Sequence, residues 1–365
     1  MKIKEITDYL ESIAPLSLQE DYDNAGLLIG NESEDCKGIL VSLDVTESVI
    51  EEALKKNCNL VVAHHPIIFR GIKRLNGKNY VERTVISAIK NNIAVYAIHT
   101  NLDNVLEGVN RKIAEKLGLK NCQVLLPRQG ALQKLITFSP VKSADEVRNA
   151  LFKAGAGAIG KYDECSFNIE GEGTFRAGEG SHPFVGDIGK KHLEKEVRIE
   201  VIYPSYLQKG ILRSLKEAHP YEEVAYYIHS LENRHDQVGS GLIGELSESI
   251  TEYELLKELK SAFGLSVIKH TKLTRQPINR IAVCGGAGVF LLPRAIASGA
   301  QVYITSDIKY HEFFDADDSI LLVDIGHYES EQFTIELLTE FLQQKFPNFA
   351  LLKTETNTNP VNYYT

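Results

Sequence analysis

The chain has 365 residues, more than one ordinary core holds and enough for two or three domains. Hydrophobic residues make up 43% and charged residues 24%, a globular composition. The net charge is −9 with no Lys/Arg cluster, which argues against nucleic acid as a partner, because such binding is largely phosphate neutralisation.

The N-terminal stretch MKIKEITDYLESIAPL carries Glu5, Asp8 and Glu11, so it reads as a first helix and not as a signal peptide. From residue 1 to 126 strands and helices alternate. GILVSLDVT, NLVVAHHP and IAVYAIHTNLD are strands; ESVIEEALKKN, YVERTVISAIKNN and VLEGVNRKIAEKLGL are helices. That rhythm predicts βαβ crossovers and a mostly parallel sheet. Residues 127–231 change pattern. ALQKLITFS is a strand, and SADEVRNALFKAG is a helix with Ser143 and Glu146 spaced as a capping box. Two paired strands, a second helix and a final strand follow, giving the βαββαβ order of a ferredoxin-like inserted domain. The first rhythm returns over residues 232–365 with INRIAVCGGAG, AQVYITSD and SILLVDIGH. The expectation is a discontinuous α/β body, 1–126 with 232–365, interrupted by the insert.

No apolar run is long enough to span a bilayer, so no membrane partner is expected. The five cysteines, Cys36, Cys58, Cys122, Cys165 and Cys284, form no CxxC pair, which points to a reducing cytoplasm.

Ligands of parallel α/β sheets bind beyond the carboxyl ends of the strands. Those ends carry Asp44, His64 and His65, His99 and Asp103, Asp307, and Asp324 with His327, followed by Glu331. Neighbours within a strand point to opposite faces, so His64 and His65 can converge only where the strand has stopped. Adjacent imidazoles can each take a different ion or share one. His327 and Glu331, spaced i,i+4, share a face if a helix starts there; imidazole with carboxylate at that spacing is a common metal chelate and also occurs on ordinary solvated helices. Asp103 adds a carboxylate able to bridge ions. This mixed N/O set suits Zn, Fe or Mn better than Ca or Mg. Asp44 also fits a helix N-cap, and His99 and Asp307 also fit turns whose backbone they satisfy. His311, in SDIKYHEFF, lines the pocket or faces solvent. Gly285, Gly286 and Gly288 offer N–H groups at a strand-to-helix turn, as phosphate loops do, or simply pack tightly. Arg70, Lys73 and Arg74, just past the His pair, could supply cationic charge.

Together DYDNAGLLIG, LDVT, VVAHHP, IHTNLD, TSDIKYHE and DIGHYESE resemble the family of GTP cyclohydrolase 1 type 2 homologs, or NIF-three-like proteins. The likeness covers nearly the whole chain. GEGTFRAGEG and HPYEEVAYYI resemble the longer bacterial members, whose middle domain is compared with the PII and CutA folds. The resemblance implies a centre of two divalent ions held by His64, His65, Asp103, His327 and Glu331, within a ring-shaped homohexamer. The sequence departs from many members at TSD, where they carry a Gly before the Asp, which leaves Asp307 less securely placed. The family name implies hydrolytic opening of the guanine ring of GTP, so a small-molecule ligand such as a nucleotide is the expected partner. Two ions can lower the pKa of a water toward neutrality. Candidate general bases are His99, Asp44 and His311. The alternative is a metal-binding regulatory or scaffold assembly without its own catalysis.

Overall fold

Leu60, Val61, Val62 and Ala63 are all fully buried, as an apolar strand covered on both faces must be. In the computed structural model, which describes residues 1–364, the same holds for Ile39–Ser42, Ala94–Ala97, Val302–Thr305 and Leu321–Asp324. The chain divides into two compact units, Met1–Pro127 joined with the chain from Asp236, and Arg128–His235.

The first unit holds two sheets. One runs, in order across it, Gly26–Ile29, Ala94–Ala97, Leu60–Ala63, Ile39–Ser42 and Leu351–Lys353. The other runs Lys269–His270, Leu321–Asp324, Val302–Thr305, Ile278–Val283, His235–Ile250 and Lys120–Arg128. Alternation along each strand decides which core a side chain enters. Val41, Leu60, Val62 and Tyr96 of the first sheet and Ile281, Val283, Ile304 and Val323 of the second join one central core. Helices Ile3–Ile13, Val109–Lys116, Glu252–Ala262 and Thr334–Lys345 bury their apolar stripes in that core. The opposite faces, with Leu40, Val61 and Val95, and with Ala282, Tyr303 and Leu322, form two smaller clusters. The first is closed by helices Glu47–Lys55 and Tyr80–Lys90, capped by Thr46 and Asn79.

The body therefore has two sheets where the sequence reading expects a single mostly parallel one, and each sheet mixes directions. Gly26–Ile29 and Lys269–His270 pair antiparallel, as does His235–Ile250 with Ile278–Val283. Apolar patterning reports burial, not strand direction or which strands share a sheet. The sheets also share a plan. In each, three parallel strands successive along the chain stand in the order third, second, first, with a short antiparallel strand beside the third; the first sheet adds Leu351–Lys353 as a fourth parallel strand.

Lys120–Arg128 and His235–Ile250 are sheet neighbours. Gly244 lies against Cys122 and Gly241 against Leu125, so the two run in opposite directions and the second unit interrupts a hairpin. That unit is a four-stranded antiparallel sheet ordered Phe167–Arg176, Lys191–Pro204, Leu132–Pro140, Tyr226–Leu231. Helices Ala144–Lys153 and Gln208–Ala218 set Val147, Leu151, Ile211 and Leu215 into a core with Leu135, Ile199 and Tyr203. The Ser143–Glu146 capping box does not form. A 3-10 turn, Val141–Ser143, leads into the helix, and Ser143 takes a helical backbone with no capping bond. No helix among the described residues is long and apolar enough to cross a membrane.

Candidate metal centre

The strand Leu60–Ala63 ends directly at His64 and His65. Ala94–Ala97 leads through His99 into the short helix Thr100–Asp103. In the other sheet, Leu321–Asp324 leads into the helix His327–Glu331. Both sheets thus present the carboxyl end of their third parallel strand with a histidine followed four residues later by an acid.

Each of the four imidazoles is held by its Nδ1–H. His64 donates to the carbonyl of Ile98 (2.8 Å), His65 to Asp44 Oδ1 (2.8 Å), His99 to Asp23 Oδ1 (2.7 Å) and His327 to Asp307 Oδ2 (2.7 Å). A ring fixed in this way aims Nε2 inward, the arrangement by which outer carboxylates and carbonyls orient metal-ligating histidines. The Nε2 atoms of His65 and His327 lie 2.9 and 3.1 Å from Glu331 Oε2 and 3.4 Å from each other. His64 Nε2 lies 3.9 Å from Glu331 Oε1 and 3.6 Å from Asp103 Oδ1. The donor atoms of His65, His327 and Glu331 fall within 4.8 Å of one another, as do those of His64, His65 and His99.

His64 Nε2 and Asp103 Oδ1 are buried with no hydrogen-bond partner. Leaving such atoms unsatisfied is costly, and a cation between them removes the cost. Protonation in the metal-free chain has the same origin. Burial pulls His64 down to about 4. Burial also opposes charge on His65 and His327, but hydrogen bonds and charge from Glu331 with Asp44 and Asp307 prevail, raising them to about 10 and about 11. Burial together with the charge of Glu331 pushes Asp103 well above the carboxylate range. Burial resists ionisation of Glu331 too, yet its three histidine neighbours hold it well below that range.

The other candidate residues fall in three places. Asp44 does not cap the following helix, a task done by Thr46; its two oxygens take His65 and the hydroxyl of Thr358. His99 lines the cavity over the site. His311 is exposed in the 3-10 stretch Tyr310–Ala316, against the rings of Tyr310 and Phe314, and does not line that cavity. The glycine turn is no phosphate cradle. The N–H groups of Gly285, Gly286 and Gly288 donate to Asn110, Ser330 and Thr305. Gly286, at φ +62°, leaves room for Glu331; a Cβ there would lie 2.4 Å from Oε1. Arg70, Lys73 and Arg74 are exposed and outside the cavity lining. The cavity, of about 670 Å³, is walled instead by Leu43, Pro66, Phe69, Tyr328, Val361 and Tyr363, with Lys269 paired to Asp324 (2.5 Å).

Two partners of the site lay beyond sequence reasoning, Asp23 and Thr358. Asp23 sits on a turn ahead of the first strand. It takes His99 Nδ1–H as well as the N–H and hydroxyl of Thr100. These bonds, against the opposing effect of burial, hold its carboxyl down to about 2.

A two-sheet α/β body with a buried histidine and carboxylate group able to hold a metal ion, and a separate inserted unit, is the class of protein defined here. The chain belongs to the Duf34/NIF3 (NGG1p interacting factor 3) family, whose model matches residues 1–360. It is 37% identical over 363 residues to a protein of Halalkalibacterium halodurans named GTP cyclohydrolase 1 type 2 homolog, covering 98% of each chain. A Bacillus subtilis protein of the same name is 35% identical over 365 residues, covering 99% of this chain and 98% of that one. The crystal structure of a Bacillus cereus protein related to NIF3 superposes with a TM-score of 0.86 at 36% identity, covering 100% of this chain and 99% of that one.

Proposed function

We propose that the protein binds two divalent ions and hydrolyses a nucleotide or related phosphorylated ring compound. The observation that carries the metal reading is the pair of buried, partnerless atoms His64 Nε2 and Asp103 Oδ1, facing a carboxylate already engaged on its other oxygen. Glu331 Oε2 lies with His65 and His327, and Oε1 with His64 and Asp103, so these five side chains would hold the ions. Imidazole and carboxylate donors in this ratio fit Zn, Fe or Mn. When bound, such ions supply Lewis acidity and a water of lowered pKa. The chain's own residues do the rest. Asp44 and Asp307 keep two rings aimed, and His99, fixed by Asp23, stands at the cavity wall as the proton acceptor. Elemental analysis of purified protein tests the first claim. Formate release from GTP by protein reloaded separately with Zn, Mn and Fe, against Asp103→Ala, tests the second.

One observation favours a second reading, a metal-binding regulatory or scaffold assembly. The glycine turn and Lys269 are already occupied, which leaves a triphosphate no evident cradle among the described residues. If no metal supports formate release above the variant, that reading replaces the first. The proposal also includes a cytoplasmic homohexamer and a ferredoxin-like insert of PII/CutA type. The insert's element order and its antiparallel sheet, with the first strand between the third and fourth, support the latter.

A further inference from the structure

The chain does not stop at the site's last ligand. Leu351–Lys353 pairs parallel with Ile39–Ser42, the strand that leads to Asp44, so the chain leaving this pairing emerges on the side where the ligands gather. It is then fastened twice. The carboxylate of Glu52 accepts from the hydroxyls of Thr354 and Thr356 (2.6 Å each) and from the N–H groups of Glu355 and Thr356 (2.8 and 3.2 Å). Two residues on, the Thr358 hydroxyl donates to Asp44 Oδ2 at 2.6 Å, and Asn359 Nδ2 donates to Glu329 Oε1 at 3.0 Å. Beyond that, Pro360, Val361 and Tyr363 line the same cavity as Phe69 and His65.

We propose that the segment Thr354–Tyr363 is a built part of the metal site, in two respects. Thr358 is a positioning residue for His65. Pro360, Val361 and Tyr363 are the specificity wall, selecting a flat, mainly apolar ring. This rests on the metal reading above. Asp44 gives Oδ1 to His65 and Oδ2 to Thr358, so the carboxylate plane is fixed from both ends. Without the hydroxyl, Asp44 is free to turn about its terminal torsion, and the His65 ring loses its orienting partner. The wall follows from shape and chemistry. Proline, valine and a tyrosine ring, in one lining with Leu43, Pro66 and Phe69, give the cavity apolar surface that favours a planar ring over a small hydrated anion.

The test uses the full chain and Zn²⁺, with affinity measured by chelator competition and content by elemental analysis. Thr358→Val keeps the shape and removes the hydroxyl. It is expected to weaken zinc binding about 10- to 100-fold, with Thr358→Ser close to the parent. Zinc binding by Thr358→Val as tight as the parent's would overturn the positioning role. A parent that takes up no zinc would sink the metal reading instead. For the wall, benzoate and acetate are titrated onto the zinc-loaded protein. Tyr363→Ala is expected to weaken the ring acid about tenfold more than acetate. Equal losses for both acids would overturn the wall.

Discussion

Glu331 meets three imidazoles with two oxygens, so its charge sets the state of every neighbour. Glu331→Gln keeps the shape and removes that charge; metal content is expected to fall severalfold with little loss of folded protein, read by elemental analysis beside circular dichroism. The same neighbours fix a pH dependence. His65 and His327 rise from an ordinary 6.5 to about 10 and about 11 in the metal-free chain. Raised values mean a stability contribution present in full below 6.5 and lost as pH climbs through 10 and 11. Metal-free protein should therefore weaken on the alkaline side, whereas metal affinity should increase with pH. Loading near pH 7 must displace protons from both rings, and calorimetry in buffers of different ionisation enthalpy should register their release; none would refute the assignment. At this scale the sequence spoke unevenly. His64, His65, His327 and Glu331 stood out because strand ends and an i,i+4 spacing are local patterns. Thr358 lies 314 residues from Asp44 and Asp23 lies 76 from His99, and no periodicity links such pairs.

Among the elements, the glycine turn after Ile278–Val283 was open to two readings, an anion loop or tight packing, and the structure shows the second. What a sequence cannot print is that the N–H groups of all three glycines already have partners. Gly286→Ala should cost about 1–3 kcal/mol, through a left-handed backbone and a clash with Glu331, and should lower metal content in parallel. A Tm shift without loss of metal would show the turn to be structural only. The terminal segment offers a second check. Burial resists ionisation of Glu52, but the bonds from Thr354, Thr356 and Glu355 prevail and hold it to about 2. A lowered value stabilises above the ordinary 4.5 and is lost as pH falls through 2. Glu52→Gln should make the amides of Glu355 and Thr356 exchange hydrogen faster at neutral pH. The apolar parallel strands were legible, but Gly26–Ile29, Lys120–Arg128, His235–Ile250, Lys269–His270 and Leu351–Lys353 were not read, being short or mixed in polarity; the partition between two sheets was not legible either, because nothing in Val302–Thr305 says which neighbours it will find.

For the whole molecule, every proposed ligand lies outside Arg128–His235, and that unit interrupts a hairpin. Bridging Pro127 to Asp236 with a short Gly/Ser linker should leave a soluble body that still takes up metal; loss of uptake would place the insert within the site. In solution, light scattering should return six times 40.7 kDa if the hexamer proposal holds. The alternation of strands and helices showed a divided body in the sequence, but not that its two sheets repeat one plan.

That repetition bears on how the chain folds. His65 and Glu331 meet across 266 residues, one from each sheet's strand ends. Contacts so distant form late, because closing a long loop costs entropy before any contact rewards it. Each sheet can gather its own three parallel strands first, and the donor sets are complete only when both have docked. Metal uptake during refolding should therefore trail the recovery of secondary structure, making the ion a timekeeper for the last step of assembly.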